Sequence, residues 1–324
     1  MDISIIVGTI VKIAIVVTIT MLHVAYAVYF ERKVIGHMQA RLGPMRVGPH
    51  GLLQPIADFV KLFFKEDIVP SNADKPIFLI APVISVVAAL ASLAVIPLWE
   101  TFAIANINIG ILYILALSSV GAYGIILAGW SSNSKYSFLG ALRSSAQVIS
   151  YEIAMGLSLV GVMMLAGSAN LVDIVNAQSK YPFILIQPVA FFVFLMAAIA
   201  ETNRAPFDLP EAETELVAGY FTEYSGIRFG LFFIAEYAGM FIMSAIAVIC
   251  FFGGWKGPHF WILSHVPNIV WFLLKVYALI FFYYWIRATL PRYRYDQLMS
   301  LGWKLFIPLT LANIFVTGLV KLLY

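Results

Sequence analysis

Residues 230–253 read GLFFIAEYAGMFIMSAIAVICFFG, and Glu236 is the one charged side chain among them. At a helical rise of 1.5 Å per residue, such a stretch crosses a hydrocarbon core of about 30 Å. An open sheet exposed to lipid is excluded there by its unpaired backbone groups, so the stretch reads as a membrane-spanning helix. Working outward, apolar runs of about 18–25 residues recur along the whole chain. They define eight expected spans, at roughly 3–29, 77–98, 108–130, 145–166, 183–201, 230–253, 267–287 and 303–322. The composition agrees, at 62% hydrophobic and 11% charged residues with mean hydropathy +0.92, far from the balance of a soluble domain.

Charge sets the expected orientation. The connections after spans 1, 3, 5 and 7 carry 15 Lys and Arg, whereas those after spans 2, 4 and 6 carry only Lys180 and Lys256. Both termini are therefore expected on the outer (periplasmic) side, with the long loops on the cytoplasmic side. The net charge of +3 follows from this topology and is no sign of nucleic-acid binding. Ala25-Tyr26-Ala27 has the look of a signal-peptidase site, but the apolar run before it is long, begins beside Asp2 and has no basic n-region. The first span is expected to be retained. The single Cys250 can form neither an intrachain disulfide nor, alone, an iron–sulfur or thiolate zinc site. No metal or covalent cofactor is expected on this chain.

The first cytoplasmic segment opens on Glu31-Arg32-Lys33 and passes two Gly-Pro turns, at Gly43-Pro44 and Gly48-Pro49. Its arginines suit phosphates or partner carboxylates, or equally lipid headgroups, and no Gly-Lys-Ser/Thr follows to make a Walker loop. Residues 52–66 then pattern as an amphipathic helix. Leu52, Ile56, Phe59 and Phe63 share one face with Leu53 and Val60 beside them, while Gln54, Asp58, Lys61 and Lys65 take the other. At about 15 residues it is short for a span and is expected to lie along the interface. Asp58 would then point away from lipid, toward a partner or into a surface pair with Lys61.

The segment 201–236 holds seven of the chain's 17 carboxylates. Glu201 closes span 5, and Glu236 lies about 12 Å into span 6 from Arg228. Glu152 lies about 13 Å into span 4 from Arg143. On the opposite half, Lys275 and Lys12 fall inside spans 7 and 1. Isolated charge is too costly to keep in lipid, so each of these groups must face a wet or protein-lined interior. They are either structural ion pairs or a proton relay. In the loop between, about 202–229, proline and acids around Asp208 suit a helix start, which accounts for one or two carboxylates. It does not account for Asp208, Glu211, Glu213, Glu215 and Glu223 together, on the side where basic residues belong. Clustered carboxylates raise one another's proton affinity and so respond to a nearby change of charge.

Five long strings carry a resemblance. ERKVIGHMQARLGPMRVGPHGLLQPIADFVKLFFKED (31–67), GWSSNSKYSFLGALRSSAQVISYE (129–152), ETNRAPFDLPEAETELVAGYFTEYSG (201–226), LFFIAEYA (231–238) and LPRYRYDQLMSLGWKLFIPLTL (290–311) occur in order. The chain resembles, from about 29 to 315, the family of the membrane-embedded H subunit (subunit 1 in mitochondria) of respiratory complex I. The resemblance implies an all-α polytopic fold of eight transmembrane helices plus a cytoplasmic-side amphipathic helix. It implies a place at the joint of the membrane and peripheral arms of an NADH:quinone oxidoreductase, beside other membrane subunits and the peripheral quinone-site and iron–sulfur subunits. FMN and Fe–S clusters would sit on those partners, and a quinone would enter a shared tunnel. Residues implied at the tunnel are Arg32, Asp58, Phe59, Arg204 and Phe232, with Asp208 near its mouth. The implied coupling loop includes Glu211, Glu213 and Glu215, and the implied proton route begins at Glu152, Glu201 and Glu236. Lys12 and Lys275 rest on their position in the sequence alone.

The chain is expected to be a single membrane domain over 1–324, in a bacterial inner membrane, with the mitochondrial inner membrane less favoured for want of a transit peptide. The alternatives are the related subunit of a membrane-bound hydrogenase or ferredoxin-linked complex, a stand-alone ion transporter, and a purely structural scaffold. No internal repeat of the transporter kind is evident in the sequence.

Overall fold

The computed structural model describes residues 3–100, 102–208, 218–257 and 266–323. Its architecture is all-α. The long helices are α1 (Ile3–Met38), α3 (Lys75–Ser92), α4 (Gly110–Ser131), α5 (Lys135–Ala166), α9 (Gly226–Phe251), α10 (Asn268–Thr289) and α11 (Tyr295–Leu323). Shorter ones are α2 (Gln54–Phe64), α6 (Leu171–Ala177), α7 (Phe183–Ile186) and α8 (Pro188–Glu201). Among the described residues, seven helices are long and apolar enough to cross a membrane. Exposed side chains such as Ile10, Val87, Phe281 and Phe315 cover the outside of the bundle, a surface suited to acyl chains and not to water.

The stretch expected as a fifth span is divided. Gln187 has φ −128° and ψ 59°, Pro188 follows it, and the helix restarts as the 14-residue α8. Proline lacks the N–H that would continue the ladder and restricts the residue before it, which is enough to break the run. Two other helices outrun their apolar stretches. α1 continues to Met38, carrying Glu31 and Arg32 in regular helix, and α5 begins at Lys135. In α5 the extra turns, 135–144, are polar yet packed, with Ser137 and Ser144 buried. Hydropathy locates only the lipid-matched part of a helix, and these turns are held by protein contacts instead.

Helix α9 is the axis of the fold. Nearly every side chain from Tyr237 to Phe251 is buried. A helix that is apolar all round belongs in the middle of a bundle, and its neighbours include α1, α3, α8 and α10. Close approach is set by glycine. A Cβ on Gly124 would lie 2.9 Å from the Ala81 carbonyl oxygen and 3.1 Å from the Ser85 nitrogen, so α3 and α4 approach backbone to backbone. At Gly140 a Cβ would meet Gly219 Cα at 2.6 Å, which docks the turn Gly219–Phe221 onto α5.

Helix α2 presents Ile56, Phe59, Val60 and Phe63 outward and buries none of its residues fully. Its far end is tied to the start of α9. Arg228 Nε stands 2.8 Å from Asp67 Oδ2, while Ser225 Oγ accepts from the Ile68 N–H (3.1 Å) and donates to the Glu66 carbonyl (3.2 Å).

Candidate functional site: a compensated charge cluster beside a buried cavity

Glu31 belongs to the same helical face of α1 as the buried Val16, Thr20, His23, Val24 and Ala27, and it is only 4% exposed. Arg204 follows the end of α8, where the chain turns back on itself. Gln147 of α5 builds that turn, its Nε2 donating to the Ala200 and Phe207 carbonyls, each at 2.7 Å. Ser144 Oγ adds a bond to Asn203 Oδ1 at 3.3 Å. The turn places the Arg204 guanidinium between two carboxylates, with Nη1 3.2 Å from Glu31 Oε1 and Nε 2.8 Å from Glu236 Oε1.

The Nε approach is an ion pair rather than a directed hydrogen bond, since among the described residues Nε and Nη2 have no acceptor in hydrogen-bonding geometry. Glu31 also pairs with Arg287 of α10 and accepts 2.7 Å from the Tyr237 hydroxyl. The Tyr237 ring lies 4.3 Å from the Arg204 guanidinium carbon, a cation–π contact. Two carboxylates and two guanidiniums therefore balance within one mostly buried cluster, as charge withdrawn from water requires. Burial works against the charge on Arg204, but Glu236, Tyr237 and Glu31 outweigh it and raise its pKa above the ordinary arginine value.

Next to this cluster lies a cavity of about 120 Å³ whose wall is mostly apolar, with Ile114, Val148, Phe232 and Met243, and includes the polar Ser118, Glu201, Thr202, Asn203 and Glu236. Glu201 Oε1 accepts from Ser118 Oγ, and its buried Oε2 has no hydrogen-bond partner among the described residues. Glu152 accepts from Ser119 Oγ, the next residue on α4.

The other expected residues are distributed as follows. Arg32 and Asp58 meet at 2.9 Å on the surface between α1 and α2, with Gln54 Nε2 bonded to the other Asp58 oxygen at 2.9 Å. Asp58 thus pairs with Arg32, not Lys61. Phe59 is 57% exposed, whereas Phe232 is buried against Tyr220, Phe221 and Tyr224. Asp208 is buried and faces Arg292 at 3.4 Å. Glu223 is half-buried after the Gly219–Phe221 turn. Glu211, Glu213 and Glu215 lie outside the described residues. Lys12 Nζ donates to the Ala103 carbonyl at 3.2 Å. Lys275 Nζ donates to three carbonyls past the end of α9, those of Phe252 (2.8 Å), Gly254 (3.0 Å) and Lys256 (2.7 Å). Among the described residues no group of three or more His, Cys, Asp or Glu side chains is placed to hold a metal ion.

These features define a class: a polytopic helical membrane protein with a compensated carboxylate–guanidinium cluster opening onto a small, mostly apolar cavity that holds two carboxylates. Residues 11–318 match the family described as NADH dehydrogenase. The chain is 56% identical to the first NADH-quinone oxidoreductase H subunit of Geobacter sulfurreducens, covering 95% of this chain and 93% of that protein. It is 55% identical to the second NADH-quinone oxidoreductase H subunit of Geobacter metallireducens, over 97% and 95% of the two chains. With the NADH-quinone oxidoreductase H subunit of Thermomicrobium roseum it shares 55% identity over 92% of this chain and 91% of the relative. The chain belongs to the NADH dehydrogenase family, alongside these NADH-quinone oxidoreductase H subunits.

Proposed function

We propose that this chain is the H-type membrane component of an NADH:quinone oxidoreductase, where it walls part of a quinone tunnel and couples quinone reduction to proton movement. Reduction of a quinone to its diol takes two electrons and two protons. The electrons come from flavin and iron–sulfur groups on partner subunits, and this chain handles charge and protons. Arg32, Asp58, Phe59, Arg204 and Phe232 serve the quinone side. Asp208, Glu211, Glu213, Glu215 and Glu223 form the loop that responds to the new charge, and Glu201, Glu236 and Glu152 begin the proton route. Lys275, at the far end of α9, is either a further member of that route or a cap on the helix.

The split pair α7–α8 completes a set of eight spans in one membrane domain, over about 28 Å of helix. α2 lies in the interface with its apolar face in lipid. Both termini face the periplasm of a bacterial inner membrane, in line with the loop charges.

The single observation that carries the reading is Arg204 held between Glu31 and Glu236, with Glu236 and Glu201 on one cavity. A charge arriving beside this balanced set changes which proton occupancy is favoured inside it. The test is Glu201→Gln and Glu236→Gln in the assembled enzyme in proteoliposomes. The expected result is loss of protons moved per electron, with assembly retained. Unchanged stoichiometry in both variants would reduce the chain to a scaffold.

A further inference from the structure

Helices α1 and α10 leave a furrow of about 570 Å³ between them on the outside of the bundle. It runs from Ile19 to Val34 on α1, about 22 Å at helical rise, and from Tyr277 to Tyr284 on α10. Leu22, Phe30, Tyr277 and Phe281 on its rims are exposed, so it opens toward the acyl chains. It shares no lining residue with the cavity beside Arg204. The floor of the furrow holds His23, which is 4% exposed. Its ring lies between those of Phe241 and Tyr277, at 5.1 and 5.7 Å. Neither ring nitrogen has a hydrogen-bond partner among the described residues. The Tyr237 carbonyl of α9 acts on the ring from within the bundle, but outside hydrogen-bonding geometry.

A neutral imidazole carries one N–H and one bare acceptor nitrogen. With the N–H turned toward Tyr237, the other nitrogen requires a donor. His23 is eight residues from Glu31 and eleven from Lys12, about 12 Å and 16 Å along the helix, which puts it near the middle of the hydrocarbon. Acyl chains bring no donor to that depth, and the polar groups of a phospholipid lie at the interface. An oxidised quinone head only accepts. A side chain on another spanning helix can donate there, and bonds of that kind help hold membrane helices together.

We propose that the furrow between α1 and α10 seats a transmembrane helix of a neighbouring subunit, with a Ser, Thr, Tyr, Trp or Asn side chain of that helix donating to His23. The inference rests on the reading of this chain as one membrane subunit among several, and goes beyond it by assigning the surface and the register. Apolar side chains on one face of the incoming helix fill the furrow between its aromatic rims. The single polar contact fixes how far along the furrow the helix sits, because an unmet polar group in hydrocarbon is costly.

The test uses the purified assembled enzyme in phospholipid vesicles. The photoreactive residue p-benzoylphenylalanine replaces Phe30 or Phe281 on the two rims, or Phe315 as an exposed control on α11. Mass spectrometry after illumination identifies what each site has captured. Both rim sites are expected to capture one apolar segment of the same subunit, carrying a donor side chain, and Phe315 is not. Capture of phospholipid or quinone alone, in an enzyme that contains other membrane-spanning subunits, overturns the helix only. So does a captured segment without a donor. An active enzyme with no other membrane-spanning subunit overturns the multi-subunit reading, and the helix with it. His23→Leu removes the acceptor and His23→Gln keeps one. In a detergent titration, His23→Leu should raise the ratio of released to retained partner about threefold, the usual worth of one such bond in a membrane, with His23→Gln nearer the parent. Parent-level retention in His23→Leu overturns the assigned contact.

Discussion

Arg204 Nη1 lies 3.2 Å from Glu31 Oε1 although 173 positions separate them, and both side chains are at most 6% exposed. The pair ties the loop after α8 to α1 through the centre of the bundle. Such a pair makes little net contribution against an apolar replacement, but breaking it is costly, because the remaining charge is left without compensation.

Glu31→Gln should therefore destabilise by about 3–5 kcal/mol, the usual cost of stranding one member of a buried pair. Thermal unfolding of the purified membrane complex reads this as a lower transition. Adding Arg204→Gln to Glu31→Gln should cost less than the sum of the two single changes, since the second restores the balance of one carboxylate to one guanidinium in the cluster. Strict additivity would mean that the two groups do not interact in the assembled protein.

The sequence made the helical class plain but not this hub. Glu31 stood in the sequence as the start of a loop, and Arg287 as one of several loop charges. The missed signal was local. Glu31 continues the stripe Val16, Thr20, Val24, Ala27 at helical spacing, which marks it as inward-facing once α1 is extended. Its partners are far along the chain, where no periodicity reaches. By contrast Glu152, Glu201 and Glu236 were legible, because a carboxylate inside an apolar run is conspicuous without any partner. Ser118 and Ser119 were illegible, since serines are ordinary in spanning helices and acquire meaning only from what lies opposite.

A second prediction concerns how the described end of the acidic loop is seated. Gly140→Ala puts a methyl 2.6 Å from Gly219 Cα, a backbone atom that cannot swing aside. Overpacking of this kind costs about 1–3 kcal/mol. Gly121→Ala is the control, since its Cβ would meet only Ala88 Cβ at 3.9 Å. Gly140→Ala should lower the unfolding transition and raise protease cleavage near Gly219, with Gly121→Ala close to the parent. Equal behaviour of the two would show that the Gly219–Phe221 turn does not rest on α5.

Alkaline stability supplies a third. Tyr224 stacks on Phe78 at 4.0 Å, donates to the Phe78 carbonyl at 3.2 Å, and is pushed up to about 12 by burial, with Ser131 and Arg228 opposing. Its folded pKa exceeds the unfolded value of about 10, so the neutral form is favoured by folding. That contribution is complete below pH 10 and is lost as pH climbs toward 12. Tyr224→Phe should be less stable than the parent below pH 10 but lose less between pH 10 and 12. Parallel pH–stability curves for the two proteins would refute this assignment.

The last prediction separates a capping lysine from a proton-carrying one. Lys275 Nζ donates to the carbonyls of Phe252, Gly254 and Lys256, at the end of α9 where the helix dipole is negative and carbonyls lack intrahelical partners. With all three hydrogens directed at backbone, the ammonium closes the helix. Lys275→Met keeps the stem, removes the donors and should cost about 1–3 kcal/mol, the penalty for leaving buried acceptors unmet. Protons moved per electron should stay at the parent value in whatever fraction assembles. Lys275→Arg, which keeps the charge, should recover part of the stability. A fall in stoichiometry with stability unchanged would place Lys275 on the proton route instead and would remove its role as a cap.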